Sequence, residues 1–133
     1  MSIASHLHQK DQMPAEVRFL YTVRQPEAGQ DILFLSRLHS IAQSLPTKQF
    51  RLQLHLTGAP PSPMADVPIV PRATVHHRRV IHSDLLEALG KAEDRAGVVC
   101  YICGPPAITD DFVSVLRQAE GMEEERVLCE KWW

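Results

Sequence analysis

The stretch Gly97-Val98-Val99-Cys100-Tyr101-Ile102-Cys103, followed at once by Gly104-Pro105-Pro106, decides the fold class. Seven residues without apolar/polar alternation, bounded by glycines, read as a strand of a parallel sheet covered on both faces. Gly104-Pro105-Pro106 is a tight turn, stiffened by prolines that have no N–H to donate. Beyond it Thr109 is expected to cap a helix, with Asp110 and Asp111 in a first turn where the dipole favours acids. Phe112, Val113, Leu116 and Ala119 form its apolar stripe, and Gly121 ends it. Residues 126–129 are a last short strand. Strand, turn, helix, strand is the unit of a parallel sheet with crossover helices.

Upstream, the same alternation continues. Ile3, Leu7 and Met13 read as the tail of a helix closed by Pro14. Residues 17–23 (Val-Arg-Phe-Leu-Tyr-Thr-Val) are rich in β-branched and aromatic side chains and read as a strand. Residues 25–30, with Pro26 and Gly29, are a loop. From Asp31, the expected N-cap, Ile32, Leu35, Leu38, Ala42 and Leu45 share one helical face, and Pro46 stops it. Residues 50–57 alternate Phe and three Leu with Arg, Gln, His and Thr, so a half-buried edge strand is expected. Residues 58–71 hold five of the ten prolines and are a loop. Residues 80–89 read as a short helix capped by Ser83 or Asp84 and followed by Gly90.

Composition bounds the function. The chain has 133 residues, enough for one domain, with 44% hydrophobic and 23% charged residues and a net charge of −2. That balance gives no long-range attraction to nucleic acid or to an anionic membrane. No apolar run is long enough to span a bilayer, and the first residues show no signal-peptide pattern. Three cysteines fit free thiols in a reducing compartment. Cys100 and Cys103 are formally C-x-x-C, but residues three apart on a strand face opposite ways, so they cannot share a metal or a disulfide. His76, His77 and His82 beside Arg78 and Arg79 read as a solvated basic loop, and no metal site is expected.

Ligand crevices of parallel sheets lie beyond the carboxyl ends of the strands. The candidate regions are therefore 22–25, 57–59 and 103–106, together with the terminus. Gly104 leaves room for close approach, and the helix start behind it offers partial positive charge. A plain strand-to-helix turn is the competing reading. Thr22 and Arg24 at a strand end suit a ribose or its phosphate, against a plain surface arginine. The Glu130-Lys131-Trp132-Trp133 ending places two large apolar rings where chains are usually polar, so they cover either the sheet or a planar cofactor.

Cys103-Gly104-Pro105-Pro106, the terminal acid and aromatics, and the order of elements together resemble the C-terminal NAD(P)-binding domain of the ferredoxin–NADP reductase superfamily. The ending resembles that of the oxidoreductase NAD-binding domain-containing proteins, a mitochondrial-associated branch. The resemblance covers nearly the whole chain. It implies a doubly wound parallel sheet with helices on both faces, and hydride transfer between NAD(P)H and a flavin. Cys103 and Glu130 would take part in catalysis. Thr22, Arg24, Thr57, Cys103, Gly104, Pro105, Pro106, Trp132 and Trp133 would hold cofactor, a terminal Trp stacking on the flavin.

The family's Gly-Gly-x-Gly-Ile-x-Pro loop is not in this sequence. The expectation is a partial NAD(P)-binding domain over 1–133 that lacks the first strand and the flavin-binding domain: a fragment, a misplaced start codon or a truncated paralogue. FAD would then be bound only in a full-length form, by a flavin domain upstream or in trans. The chain alone would be inactive, in mitochondria or cytoplasm. The alternatives are a non-catalytic nucleotide-binding or protein-interaction domain of the same fold, and an unrelated small α/β domain.

Overall fold

A computed structural model of the chain describes residues 9–10, 16–24, 32–46, 48–58 and 73–131. It divides into two units, Met1–Arg79 and Val80–Trp133. Among the described residues the strands form two sheets, and every strand pairing is parallel. The chain is α/β, as the alternation of elements requires.

In the first unit β1 (Val17–Arg24), α1 (Leu35–Ser44), β2 (Phe50–Thr57) and β3 (Ala73–His76) build a sheet of order β1-β2-β3. The register runs from Val17 opposite Phe50 to Arg24 opposite Thr57, and from Leu52 opposite Ala73 to His55 opposite His76. The edge position expected for 50–57 is therefore wrong: β2 is central. A four-residue strand, Ala73–His76, of which only His76 belongs to the expected basic loop and which carries no strand signal in sequence, takes up the second edge of β2. The alternation itself is real. Phe50, Leu52, Leu54 and Leu56 are buried on one face and pack with Ile32, Leu38, Ile41 and Ala42 as one core.

α1 begins three residues later than the apolar period implies. Its N-cap is Phe34, in the left-handed region at φ 64° and without a capping side chain. Asp31, the expected cap, lies outside the described residues. The turn is held instead by the Tyr21 hydroxyl, which donates to the Leu33 carbonyl at 2.8 Å. Burial raises the pKa of Tyr21 and keeps that hydroxyl protonated. The helix stops at Ser44 because Leu45, preceding Pro46, is driven to extended backbone. The helical readings of Ile3, Leu7, Met13 and Pro14, and the loop at 25–30, also fall outside the described residues.

The second unit comprises α2 (His82–Leu89), a 3-10 turn (Ala92–Gly97), β4 (Cys100–Gly104), α3 (Pro106–Gln118), a second 3-10 turn (Glu124–Arg126) and β5 (Val127–Lys131). Asp84 is not the cap of α2 but its third residue, accepting a hydrogen bond from the Ile81 N–H at 2.8 Å. Thr109 is not the cap of α3. Pro106 opens that helix, because its fixed φ suits the first helical position and its missing N–H would be unpaired there anyway. Asp110 and Asp111 therefore sit one turn further in. Asp110 pairs with Lys131 at 2.6 Å and Asp111 with His82 at 2.7 Å. Gly121 follows the last helical residue by three positions, at φ 83°.

Arg95 and Arg126 tie the turns together. Arg95 donates twice to the Gly90 carbonyl, at 3.0 and 2.8 Å, and once to Glu120 at 2.8 Å. Arg126 donates to the carbonyls of Arg95, at 2.7 Å, and Ala96. Such charge-assisted bonds to backbone oxygens fix loops that have few apolar contacts.

Candidate functional site

β4 and β5 run side by side, with Cys100 opposite Val127, Tyr101 opposite Leu128 and Cys103 opposite Glu130. Strand alternation sorts these residues onto two faces. Cys100, Ile102 and Val127 lie on the face beneath α3, where Val127 is 1% exposed and its carbonyl accepts from Arg117. Tyr101, Cys103, Leu128 and Glu130 occupy the other face, and all four are exposed. The expectation that the 97–103 run is buried on both faces is therefore corrected. Residues 92–97 form a 3-10 turn, the strand starts only at Cys100, and α3 covers one face of this two-stranded sheet.

The register brings Cys103 and Glu130 together, although 27 positions separate them in sequence. Sequence reading missed their neighbour Tyr101. Its hydroxyl donates to Glu130 Oε2 at 2.5 Å. That hydrogen bond, with smaller contributions from burial and from the Glu130 charge, pushes the Tyr101 pKa up to about 12. A tyrosine at position 101 inside an apolar run, on the same strand face as Cys103, was the available signal. The exposed face thus combines a thiol, a carboxylate and a phenol kept protonated, beside Leu128. Cys100 lies on the opposite face, half-buried, and burial raises its thiol pKa against the opposing charge of Arg126.

Gly104 is buried at the end of β4, and Pro105 N-caps α3. A Cβ on Gly104 would meet only Thr109 Oγ1, at 3.6 Å, which is ordinary contact. Internal packing therefore does not require a glycine there. Thr109 is wholly buried, and among the described residues its hydroxyl has no hydrogen-bond partner. Trp132 and Trp133 lie outside the described residues. Among the described residues no group of three His, Cys, Asp or Glu side chains could hold a metal ion, and no helix is long and apolar enough to cross a membrane.

The first unit gathers its candidates differently. Arg24 and Thr57 end β1 and β2 side by side, while Thr22 is exposed two residues earlier on β1. Gly58, at φ 92°, turns the chain away from β2, and the Arg24 side chain lies across it, its Cγ and Nε 3.7 and 3.9 Å from where a Cβ would stand. Arg24, Leu56, Thr57, Gly58, His77, Arg78 and Arg79 line a cleft of about 440 Å³. The segment expected to be a solvated basic loop thus forms one wall of a cleft at the carboxyl ends of the strands.

Two curated proteins match the chain along most of its length. Oxidoreductase NAD-binding domain-containing protein 1 of Danio rerio is 28% identical over 129 residues, covering 96% of this chain and 43% of that protein. The protein of the same name from Bos taurus is 26% identical over 117 residues, covering 88% of this chain and 33% of that protein. The chain therefore spans less than half the length of the curated relatives it matches. No protein-family profile matches the chain, and no solved structure does. By sequence, then, this chain is similar over nearly its whole length to part of the proteins named oxidoreductase NAD-binding domain-containing protein 1.

Proposed function

We propose that this chain is the nicotinamide-nucleotide-binding portion of a flavin-dependent oxidoreductase, with a ferredoxin-reductase-like fold whose flavin is carried by polypeptide outside the chain. One observation carries the reading. Cys103-Gly104-Pro105-Pro106 turns from the carboxyl end of a parallel strand straight into a helix, with Glu130 next to Cys103 on the same exposed face. The relatives' names, oxidoreductase NAD-binding domain-containing protein 1, support its nicotinamide-nucleotide part.

A bound nicotinamide nucleotide would supply the hydride. The chain's own residues would bind and orient. Cys103 presents a soft, polarisable thiol on the open face. Gly104 keeps its site free of a side chain, with the unpartnered Thr109 hydroxyl beneath it as a donor or acceptor for a carboxamide or ribose. Glu130 is held by the Tyr101 hydroxyl, which fixes the carboxylate beside the thiol. Thr22, Arg24 and Thr57 would receive the adenosine end. Trp132 and Trp133 would cover the flavin of the partner domain. These residues fit a nucleotide in kind. The sequence carries no glycine-rich loop to supply backbone donors for the pyrophosphate, so affinity is expected to be weaker than micromolar.

The test is a titration of isotopically labelled chain with NADH, followed by amide resonances. Shifts at Cys103, Gly104 and the start of α3, saturating above micromolar ligand, are the expected result. No shift there at millimolar NADH would remove the reading. Sub-micromolar affinity would show that the pyrophosphate is held by groups not identified above.

A further inference from the structure

We propose that His55 is an acid-sensitive latch in the first unit: its buried ring, stacked on His76, holds β3 on the sheet while neutral, and it takes up a charging proton only as β3 lifts away. The inference is independent of the nucleotide reading and stands on the geometry of the first unit alone.

His55 and His76 are register partners on the central strand β2 and on β3. Their rings stack at a centroid distance of 4.7 Å with 16° between planes. His55 is wholly buried, although it alternates with the leucines that face the core, and His76 is half-buried. His55 Nε2 lies 3.3 Å from Gln53 Oε1, and a neutral ring in the Nε2–H form already supplies the proton for that contact. A charged ring there would lose its hydration and would stand against a second ring able to carry the same charge. The rest of the surroundings is positive or uncharged. β1 sets Thr22 opposite His55, with Arg18 and Arg24 on the same strand face; β2 adds Arg51 and Thr57, and β3 adds Thr74. His77, Arg78 and Arg79 follow β3. Among the described residues of this unit Glu16 is the one acid, against two lysines and six arginines, and it pairs with Arg18 at 2.9 Å.

β3 is the element that can give way. It has four residues, and among the described residues β2 is its sole strand neighbour. Ala73 and Val75 are only partly buried against the core. A short ladder with few apolar contacts belongs to the low end of local stability. Lifting β3 gives His55 to water, where a histidine takes a proton below about pH 6.5. The open form then binds one more proton than the closed form, so opening grows about tenfold per pH unit below that value. The closed sheet is therefore favoured at neutral pH and weakened as pH falls. His77, Arg78 and Arg79 leave with β3, so acid also dismantles one wall of the cleft that they line with Arg24.

Amide hydrogen exchange of the whole chain at about pH 7.5 and about pH 5.5, corrected for the intrinsic pH dependence of exchange, tests this. Protection of the β3 amides should fall about tenfold between the two, while that of the β1 amides changes little. In the same samples the His55 ring resonances should keep their neutral-form shifts at the lower pH. His55→Gln carries no titrating ring and should abolish the pH dependence of β3. Four results would overturn the proposal. They are titration of the His55 ring with β3 protection unchanged, an equal loss of protection throughout the first unit, β3 protection that is the same at both pH values, and an undiminished fall in His55→Gln with unaltered circular dichroism. If His55→Gln does not fold, the ring resonances and the exchange of the native chain decide between the same outcomes.

Discussion

Replacing Gly121 with alanine should be among the most damaging single-methyl changes in the second unit. Gly121 sits at φ 83°, where an L side chain costs about 1–2 kcal/mol. Its new Cβ would stand 2.5 Å from the Ala92 carbonyl oxygen and 3.4 Å from Arg95 Cβ. The oxygen is backbone, so the 3-10 turn Ala92–Gly97 must retreat by nearly an ångström to restore ordinary contact. That turn is held by Arg95 on Gly90 and Glu120, and by Arg126 on the Arg95 carbonyl. Losing one such charge-assisted bond costs about 1.5–3 kcal/mol. The combined cost is about 3 kcal/mol, a large part of a whole domain's margin of about 5–15 kcal/mol. Gly97→Ala, in the same turn, is the control. Nothing lies within 4 Å of its Cβ and its φ is not positive, so stability should hold or rise by about 0.4–1 kcal/mol. Urea unfolding followed by far-ultraviolet dichroism reads both, and a melting point about 10 °C lower is expected for Gly121→Ala alone. Equal midpoints for the two variants, or a Gly121→Ala loss below about 0.5 kcal/mol, would refute the reasoning.

Two further outcomes follow from the β4–β5 face. In native chain, an aromatic disulfide reagent should modify Cys103 and Cys129 quickly and Cys100 slowly, because Cys100 is half-buried with a raised thiol pKa; denaturant should equalise all three, and equal native rates would contradict the burial of Cys100. In a Tyr21→Phe background, phenolate absorbance should report Tyr101 ionising at about 12, and Glu130→Gln should bring it down towards the ordinary value near 10. The raised pKa means that the stabilising contribution is complete below about pH 10 and is lost as pH rises through about 12, so Glu130→Gln should remove that small contribution at neutral pH and flatten the fall in stability between about pH 10 and 12. An unperturbed titration in the Tyr21→Phe chain would show that the Tyr101–Glu130 bond does not persist in solution.

What local chemistry controls was readable from the chain alone. Leu45 must be extended before Pro46, the alternating leucines of 50–57 must face one way, and Gly104 with Pro105 and Pro106 must end a strand. The parallel α/β class followed from the order of these signals. Other features depended on partners distant in sequence, which periodicity cannot see. β2 is central because residues 73–76 pair with it, and those four residues are too few to show a period. The apolar run ending at Cys103 is open on one face because coverage depends on what packs there, while apolar character states only what could be buried. Thr109 lost the cap because Pro106, three residues earlier, is already a favourable first helical residue. At the sites the division is sharper. Sequence pointed to Cys103, Gly104, Arg24 and Thr57 from their places at strand ends. Only the register set Glu130 beside Cys103 and within reach of Tyr101, and only the fold placed Arg78 and Arg79 on the same cleft as Arg24. Charges far apart along the chain acquire a shared field only when the backbone brings them within a few ångströms, and that distance is a property of the tertiary structure.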